Sequence, residues 1–273
     1  GFYEEESNKL LDIDKCYLVN ENITRIYEFI KDFIKDNRKL KEVMIRSFDN
    51  NSMIAFIGNC NIENLNYFKG KVDSCYLNGK LVFGSDKIKN KIFDLDFYVG
   101  CDAFFQVNSK GLESIYKEVI DIVNSKDINT ILDLYCGTGT IGMLVSKYVD
   151  SVVGVEIESS SIKSANICKK LNGISNIEFI EGKVEDKIDL FKDINSIIVD
   201  PPRSGLDVHT IDIIMKLNPM SIVYVSCDPA TLARDLNILK EKYNILEVHP
   251  VDMFPNTYHV ECVSVLQIKS LKK

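Results

Sequence analysis

Between residues 130 and 156 the chain spells a buried strand, a glycine-rich turn, a helix and a second strand. Thr130-Ile131-Leu132-Asp133-Leu134-Tyr135 is the first strand, Cys136-Gly137-Thr138-Gly139-Thr140 the turn, and residues 141–148 the helix. Residues 152–155 form the next apolar run, which ends on Glu156. Strands alternating with helices in this way build a mostly parallel sheet covered on both faces. An acid about 20 residues beyond a glycine turn sits where a nucleotide ribose offers its hydroxyls. Gly137 lets the backbone approach the ligand and Glu156 then fixes the sugar. Gly142 follows Gly139 by the interval a dinucleotide site uses, so spacing alone leaves a nicotinamide cofactor and S-adenosylmethionine both open.

Two further strand ends point to the same sheet edge. The run Ile197-Ile198-Val199 stops at Asp200, and Pro201-Pro202 holds an extended turn that cannot continue a ladder, through Arg203-Ser204-Gly205. Residues 222–225 form another buried strand that ends at Ser226-Cys227-Asp228-Pro229. Pro229 suits a first helical turn and Asp228 suits its cap, so Cys227 occupies a strand-to-helix corner. The positive helix end favours a thiolate there, against the Asp228 charge. An isolated cysteine is as a rule a small buried hydrophobe, and here its neighbours argue for chemistry. Residues 260–268 are apolar on both alternating faces, so Glu261 opens a buried strand, where a carboxylate must be paired, solvated or kept for reaction.

Residues 1–97 read differently, as an α+β unit. Ile23, Ile26, Phe29, Ile30 and Phe33 line one face of a helix, capped by Asn20 or Asn22. Short strands are expected at 43–48, 53–57, 72–77, 81–83 and 92–99, with Asn78-Gly79 as a two-residue hairpin turn. Nothing in this part is catalytic by composition, which suggests a positioning domain before a larger one at 98–273. Basic clusters at Lys35, Arg38, Lys39 and Lys41 and at Lys87, Lys89 and Lys91 read as solvated faces.

Composition narrows the class. The net charge of -7 gives no general basic footprint for nucleic acid, so any RNA contact is local. Eight cysteines without a CxxC pair signal neither zinc nor a disulfide framework, which fits a reducing cytoplasm. No apolar run has membrane-spanning length, so no membrane association is expected. Gly rather than Met at position 1 raises the expectation of a piece of a longer chain.

Taken in order, Phe104-Phe105-Gln106-Val107-Asn108, Asp133-Leu134-Tyr135-Cys136-Gly137-Thr138-Gly139, Asp200-Pro201-Pro202-Arg203-Ser204-Gly205, Ser226-Cys227-Asp228-Pro229 and His259-Val260-Glu261-Cys262 resemble the RNA uridine C5-methyltransferases. That family makes 5-methyluridine in transfer RNA and 23S ribosomal RNA, and the likeness covers roughly the last two thirds of the chain. The Phe-Phe-Gln-Val-Asn form and Met253-Phe254-Pro255 are similar to the ribosomal-RNA branch. The resemblance implies a Rossmann-like class I methyltransferase domain, a doubly wound α/β sheet, that uses S-adenosylmethionine. It implies Cys227 as the nucleophile that adds to uracil C6 and Glu261 as the base that later removes the C5 proton. It carries Gln106, Tyr135, Gly137, Glu156 and Asp200 over to the cofactor, and Phe104 and Arg203 to the substrate base and RNA. The partner implied is RNA, 23S rRNA in particular, with no obligate protein partner. Two departures stand out. The family's N-terminal barrel and four-cysteine iron-sulfur site have no counterpart here, since Cys16 alone cannot hold a cluster, and residue 228 is Asp where Asn is frequent. A base amino-group methyltransferase would carry an aromatic residue at position 203 and need no Cys227. An inactive RNA-binding remnant would need neither Cys227 nor Glu261.

Overall fold

The computed structural model describes residues 2–4, 7, 9–11, 13, 15–48, 51–101, 108–187, 191 and 193–270. The chain divides into two compact units, Gly1–Lys91 with Phe97–Asn108, and Ile92–Asp96 with Ser109–Lys273.

In the first unit β1 (Phe2–Tyr3) pairs antiparallel with β2 (Leu10–Leu11). Helix α1 (Glu21–Asp36) begins at Asn20, whose side chain accepts from the Ile23 amide at 3.0 Å. Its Ile26, Ile30 and Phe33 are buried as the spacing predicted, with Phe33 edge-on to Phe68 at 4.9 Å. They cover a sheet ordered β3 (Leu40–Phe48), β4 (Asn51–Gly58), β5 (Ser74–Leu77) and β6 (Lys80–Phe83), all antiparallel except β4 against β5. Asn78 and Gly79 join β5 to β6 with φ of 50° and 76°, the left-handed pair a two-residue hairpin requires. A 3-10 turn over Ile62–Phe68 was not foreseen.

The expected strand at 92–99 is instead the bend of a ribbon, β7 (Lys87–Ile92) with β8 (Leu95–Gly100). Phe93 takes φ 52° and reverses the chain, a conformation that its residue type does not advertise. The tip of this ribbon belongs to the second unit. There the Asp96 amide donates to Asn172 Oδ1 and Asn172 Nδ2 donates to the Asp96 carbonyl, both at 2.8 Å, while Lys147 pairs with Asp94 at 3.0 Å.

The second unit opens with α2 (Ser109–Ser125) and then alternates. In chain order come β9 (Thr130–Leu134), α3 (Thr140–Val145), β10 (Ser151–Glu156), α4 (Ser159–Leu171), β11 (Ile177–Glu181) and β12 (Ser196–Val199). They are followed by α5 (Val208–Leu217), β13 (Ser221–Ser226), α6 (Pro229–Leu239), β14 (Tyr243–Val251) and β15 (Glu261–Ile268). The seven strands lie in the order β11-β10-β9-β12-β13-β15-β14. The first five are parallel, and β15 runs antiparallel to both of its neighbours. Strands β9, β12 and β13 are mostly apolar and buried because helices cover both faces, with Asp133 the buried acid among them. The chain winds outward from β9 in one direction and then returns to build the other half, so the switch point lies between β9 and β12. In sheets of this kind ligands bind beyond the carboxyl ends of the strands at that point. No helix among the described residues is long and apolar enough to cross a membrane.

Candidate active site

At the end of β9 the backbone turns sharply through Tyr135 (φ 61°), Gly137 (φ 53°) and Gly139 (φ 75°). The two glycines serve different ends. A Cβ on Gly139 would lie 2.3 Å from the Phe179 ring, so this glycine lets the turn pack against β11. A Cβ on Gly137 would meet nothing within 4 Å, so the turn is open on that side. Glu156 lies beside the opening. Its Oε2 accepts from the Gly137 amide at 3.1 Å and its Oε1 from the Glu158 amide at 2.9 Å. Each oxygen keeps a lone pair for another donor.

Gly142, the third glycine of the run, has a purpose other than seating a pyrophosphate. Its amide donates to Asp133 Oδ2 at 3.1 Å, and a Cβ there would come within 2.9 Å of the same oxygen. Asp133 is buried, its Oδ1 has no hydrogen-bond partner among the described residues, and burial followed by the Asp200 charge pushes its carboxyl up to about 8. In the sequence Asp133 stands out only as an acid inside an otherwise apolar strand.

Tyr135 turns its hydroxyl toward the start of α5, 3.1 Å from Asp207 Oδ2 and 2.9 Å from Thr210 Oγ1. Asp200 follows Val199, which pairs with Leu134 and with Tyr224, so it stands at the same edge as Tyr135. Its residue reaches solvent, yet the protein atoms around it and then the Glu261 charge raise its carboxyl, to about 7.

Cys227 and Glu261 meet through strand register. Ser226 of β13 pairs with Cys262 of β15 in the antiparallel ladder. Cys227 immediately follows one and Glu261 immediately precedes the other, so the two residues face each other across the strand ends. Opposed positions of this kind bring Cβ atoms to about 5 Å. Glu261 is 5% exposed, and burial pushes its carboxyl up to about 7 against the opposing pull of Arg203. Arg203 is exposed on the turn after Pro202.

Of the two opposed influences expected on Cys227, the helix end and the Asp228 charge, the first is taken up locally. Asp228 Oδ1 takes the amides of Ala230 and Thr231, both at 2.9 Å, so the positive helix end is spent on its own cap. Burial, then Glu261 and Asp200, raise the Cys227 thiol, and only Arg203 and a backbone hydrogen bond act the other way. Phe104 and Gln106 lie outside the described residues. Gly137, Tyr135, Glu156, Asp200, Arg203, Cys227 and Glu261 all follow or border strand ends at one edge of the sheet. Among the described residues no group of three or more His, Cys, Asp or Glu is placed to hold a metal ion.

Known proteins are similar to this chain. An uncharacterised RNA methyltransferase of Clostridium acetobutylicum is 34% identical over 98% of this chain and 66% of its own length. One from Clostridium tetani is 32% identical over 100% of this chain and 68% of its own. The chain therefore spans about two thirds of the length of these curated relatives. The crystal structure of Pyrococcus abyssi tRNA (uracil-54, C5)-methyltransferase in complex with S-adenosyl-L-homocysteine is similar with a TM-score of 0.82 at 28% identity, covering 97% of this chain and 72% of that one. A profile of the tRNA (uracil-5-)-methyltransferases matches residues 76–269, and the chain belongs to that family.

Proposed function

We propose that this chain transfers a methyl group from S-adenosylmethionine to C5 of a uridine in RNA, with Cys227 as nucleophile and Glu261 as base. The observation that carries the reading is the facing register of Cys227 and Glu261 at the sheet edge that also bears the glycine turn. The residues present fit the nucleoside part of the cofactor: the turn is open at Gly137, and the Glu156 carboxylate is held beside it with lone pairs to spare. Gly137 and Glu156 would hold the ribose, Tyr135 would line the adenosine side, and Gln106 and Asp200 would orient polar groups of the methionine end or the target base. When bound, the cofactor supplies an electrophilic methyl group on a sulfonium.

The protein's own part begins at Cys227. Uracil C5 is a weak nucleophile until a thiolate adds at C6 and places negative charge across C5 and O4. Cys227 forms that S–C6 bond, with Arg203 beside the developing charge and Phe104 stacking on a base taken out of its RNA. After C5 has gained its methyl group, Glu261 removes the C5 proton. The electron pair of that C–H bond re-forms the C5–C6 double bond and expels the Cys227 thiolate. A carboxyl that titrates near 7 is suited to take and release a proton at neutral pH.

The substrate reading is 23S rRNA, on the strength of Phe104-Phe105-Gln106-Val107-Asn108 and Met253-Phe254-Pro255. Transfer RNA is the second reading, favoured by the tRNA enzyme among the similar solved structures. The cytoplasm is the compartment proposed. The test is a covalent trap with 5-fluorouridine RNA, because fluorine at C5 cannot leave as a proton does. Incubation with S-adenosylmethionine should leave a protein–RNA adduct on a denaturing gel, absent in Cys227→Ala. Adduct with 23S rRNA fragments and none with tRNA supports the first substrate reading, and the converse the second. No adduct with either, in the presence of demonstrated cofactor and RNA binding, refutes the C5 mechanism.

A further inference from the structure

The turn that carries Arg203 is anchored by side chains that contribute nothing to the chemistry above. Asp235, in α6, is fully buried. Its Oδ2 accepts from the Tyr224 hydroxyl at 2.7 Å and from the Leu206 amide at 2.8 Å. Its Oδ1 accepts from Arg234 Nε at 2.9 Å. Arg234 Nη2 reaches on to the carbonyls of Ser204 at 2.8 Å and Leu206 at 3.2 Å, and Thr231 Oγ1 donates to the Arg203 carbonyl at 3.2 Å. Gly205 lies between these groups at φ 75°, and a Cβ there would lie 2.6 Å from both Arg234 Nη2 and Asp235 Oδ2. Three elements are thus tied together: β13 through Tyr224, the turn through Arg203, Ser204 and Leu206, and α6 through Thr231, Arg234 and Asp235. A buried carboxylate is costly unless fully hydrogen-bonded, and this one has a donor on each side.

We propose that Tyr224, Asp235 and Arg234 are positioning residues that fix the Pro202–Leu206 turn against α6 and so hold the Arg203 guanidinium within electrostatic reach of Cys227 and Glu261. The guanidinium makes no ion pair or hydrogen bond among the described residues, so the backbone of the turn sets the point from which this charge reaches the site. The site needs that charge. Cys227 is faced by Glu261 from β15 and Asp200 from the end of β12, both raising its thiol, and Arg203 is the cation that opposes them. Arg203 also acts on Glu261 and on the cap Asp228 in the same sense.

The inference rests on the reading of Cys227 as nucleophile, but its test does not need methyl transfer. The rate of Cys227 alkylation by chloroacetamide is followed against pH by mass spectrometry of the peptide that contains it. Arg203→Gln sets the reference, with alkylation expected about tenfold slower at pH 7, equivalent to about one pH unit at half-reaction. Arg234→Gln and Asp235→Asn should move the profile the same way in the native chain and add nothing in the Arg203→Gln background. Arg234 is half exposed, so its variant keeps the test open if Asp235→Asn does not fold. A native-like profile in folded Arg234→Gln overturns the proposal. So does an equal shift in both backgrounds, because the network would then act other than through Arg203. Adduct formation with 5-fluorouridine RNA, measured separately, reports on the nucleophile assignment itself.

Discussion

Replacing Glu261 with glutamine keeps the size of the side chain and removes its titration. The carboxyl ionises at an ordinary 4.5 in the unfolded chain and at about 7 when folded, mainly because it is buried. Between those values the native state holds a proton that the unfolded state has lost. Stability therefore falls as pH rises through the window, and the whole penalty is present above the folded value. The gap corresponds to about 3 kcal/mol. Glu261→Gln escapes this penalty, so its advantage over the native chain should grow by about 3 kcal/mol from pH 4.5 to pH 8. Asp200 adds in the same direction, because the Glu261 charge is one cause of its raised carboxyl. Urea denaturation of both proteins at pH 5, 6, 7 and 8 measures the difference directly, and other titrating groups largely cancel. A constant difference across that range would refute the argument that burial has tuned this acid. On the proposed mechanism the same variant should accumulate methylated adduct on unmodified RNA, since it lacks the carboxylate proposed to remove the C5 proton.

Three other outcomes follow from the site's geometry. Gly139→Ala drives a Cβ into the Phe179 ring in a left-handed backbone, and should cost about 2–4 kcal/mol in a urea titration. Glu156→Gln cannot accept at both ends of its side chain from Gly137 and Glu158, and calorimetry should show S-adenosylhomocysteine binding weakened by about tenfold. Tyr135→Phe loses the hydroxyl that bonds Asp207 and Thr210, and should lower stability by about 1 kcal/mol.

The strand ends that build the site were legible because parallel, doubly covered strands must be continuous apolar runs, and their polar terminators then stand out. Asp200, Cys227 and Glu261 were all found that way. The cap at Asp228 was legible too, with the opposition of its charge to a Cys227 thiolate; that its carboxylate rather than the thiol receives the helix amides depends on rotamers that sequence does not encode. Strand β14 escaped notice because, at the sheet edge, Ile245, Leu246 and Val248 stay exposed and its pattern carries no buried face. Phe93 hides a reversal under a residue type that favours strands. Asp235 drew no notice in the sequence, since its partners Tyr224 and Leu206 are brought to it only by the assembled fold.

The ribbon tip at Ile92–Asp96 carries a warning for anyone dissecting this protein. A fragment cut at the start of α2 would contain all seven strands of the larger sheet. It would nevertheless discard the strand segment whose backbone satisfies both ends of the Asn172 side-chain amide, together with the acid that pairs Lys147. Those groups flank α4 and the turn after α3, the helices that back the glycine-turn half of the sheet. The second unit is thus discontinuous in sequence, and a boundary drawn by eye along the chain would sever five of its residues.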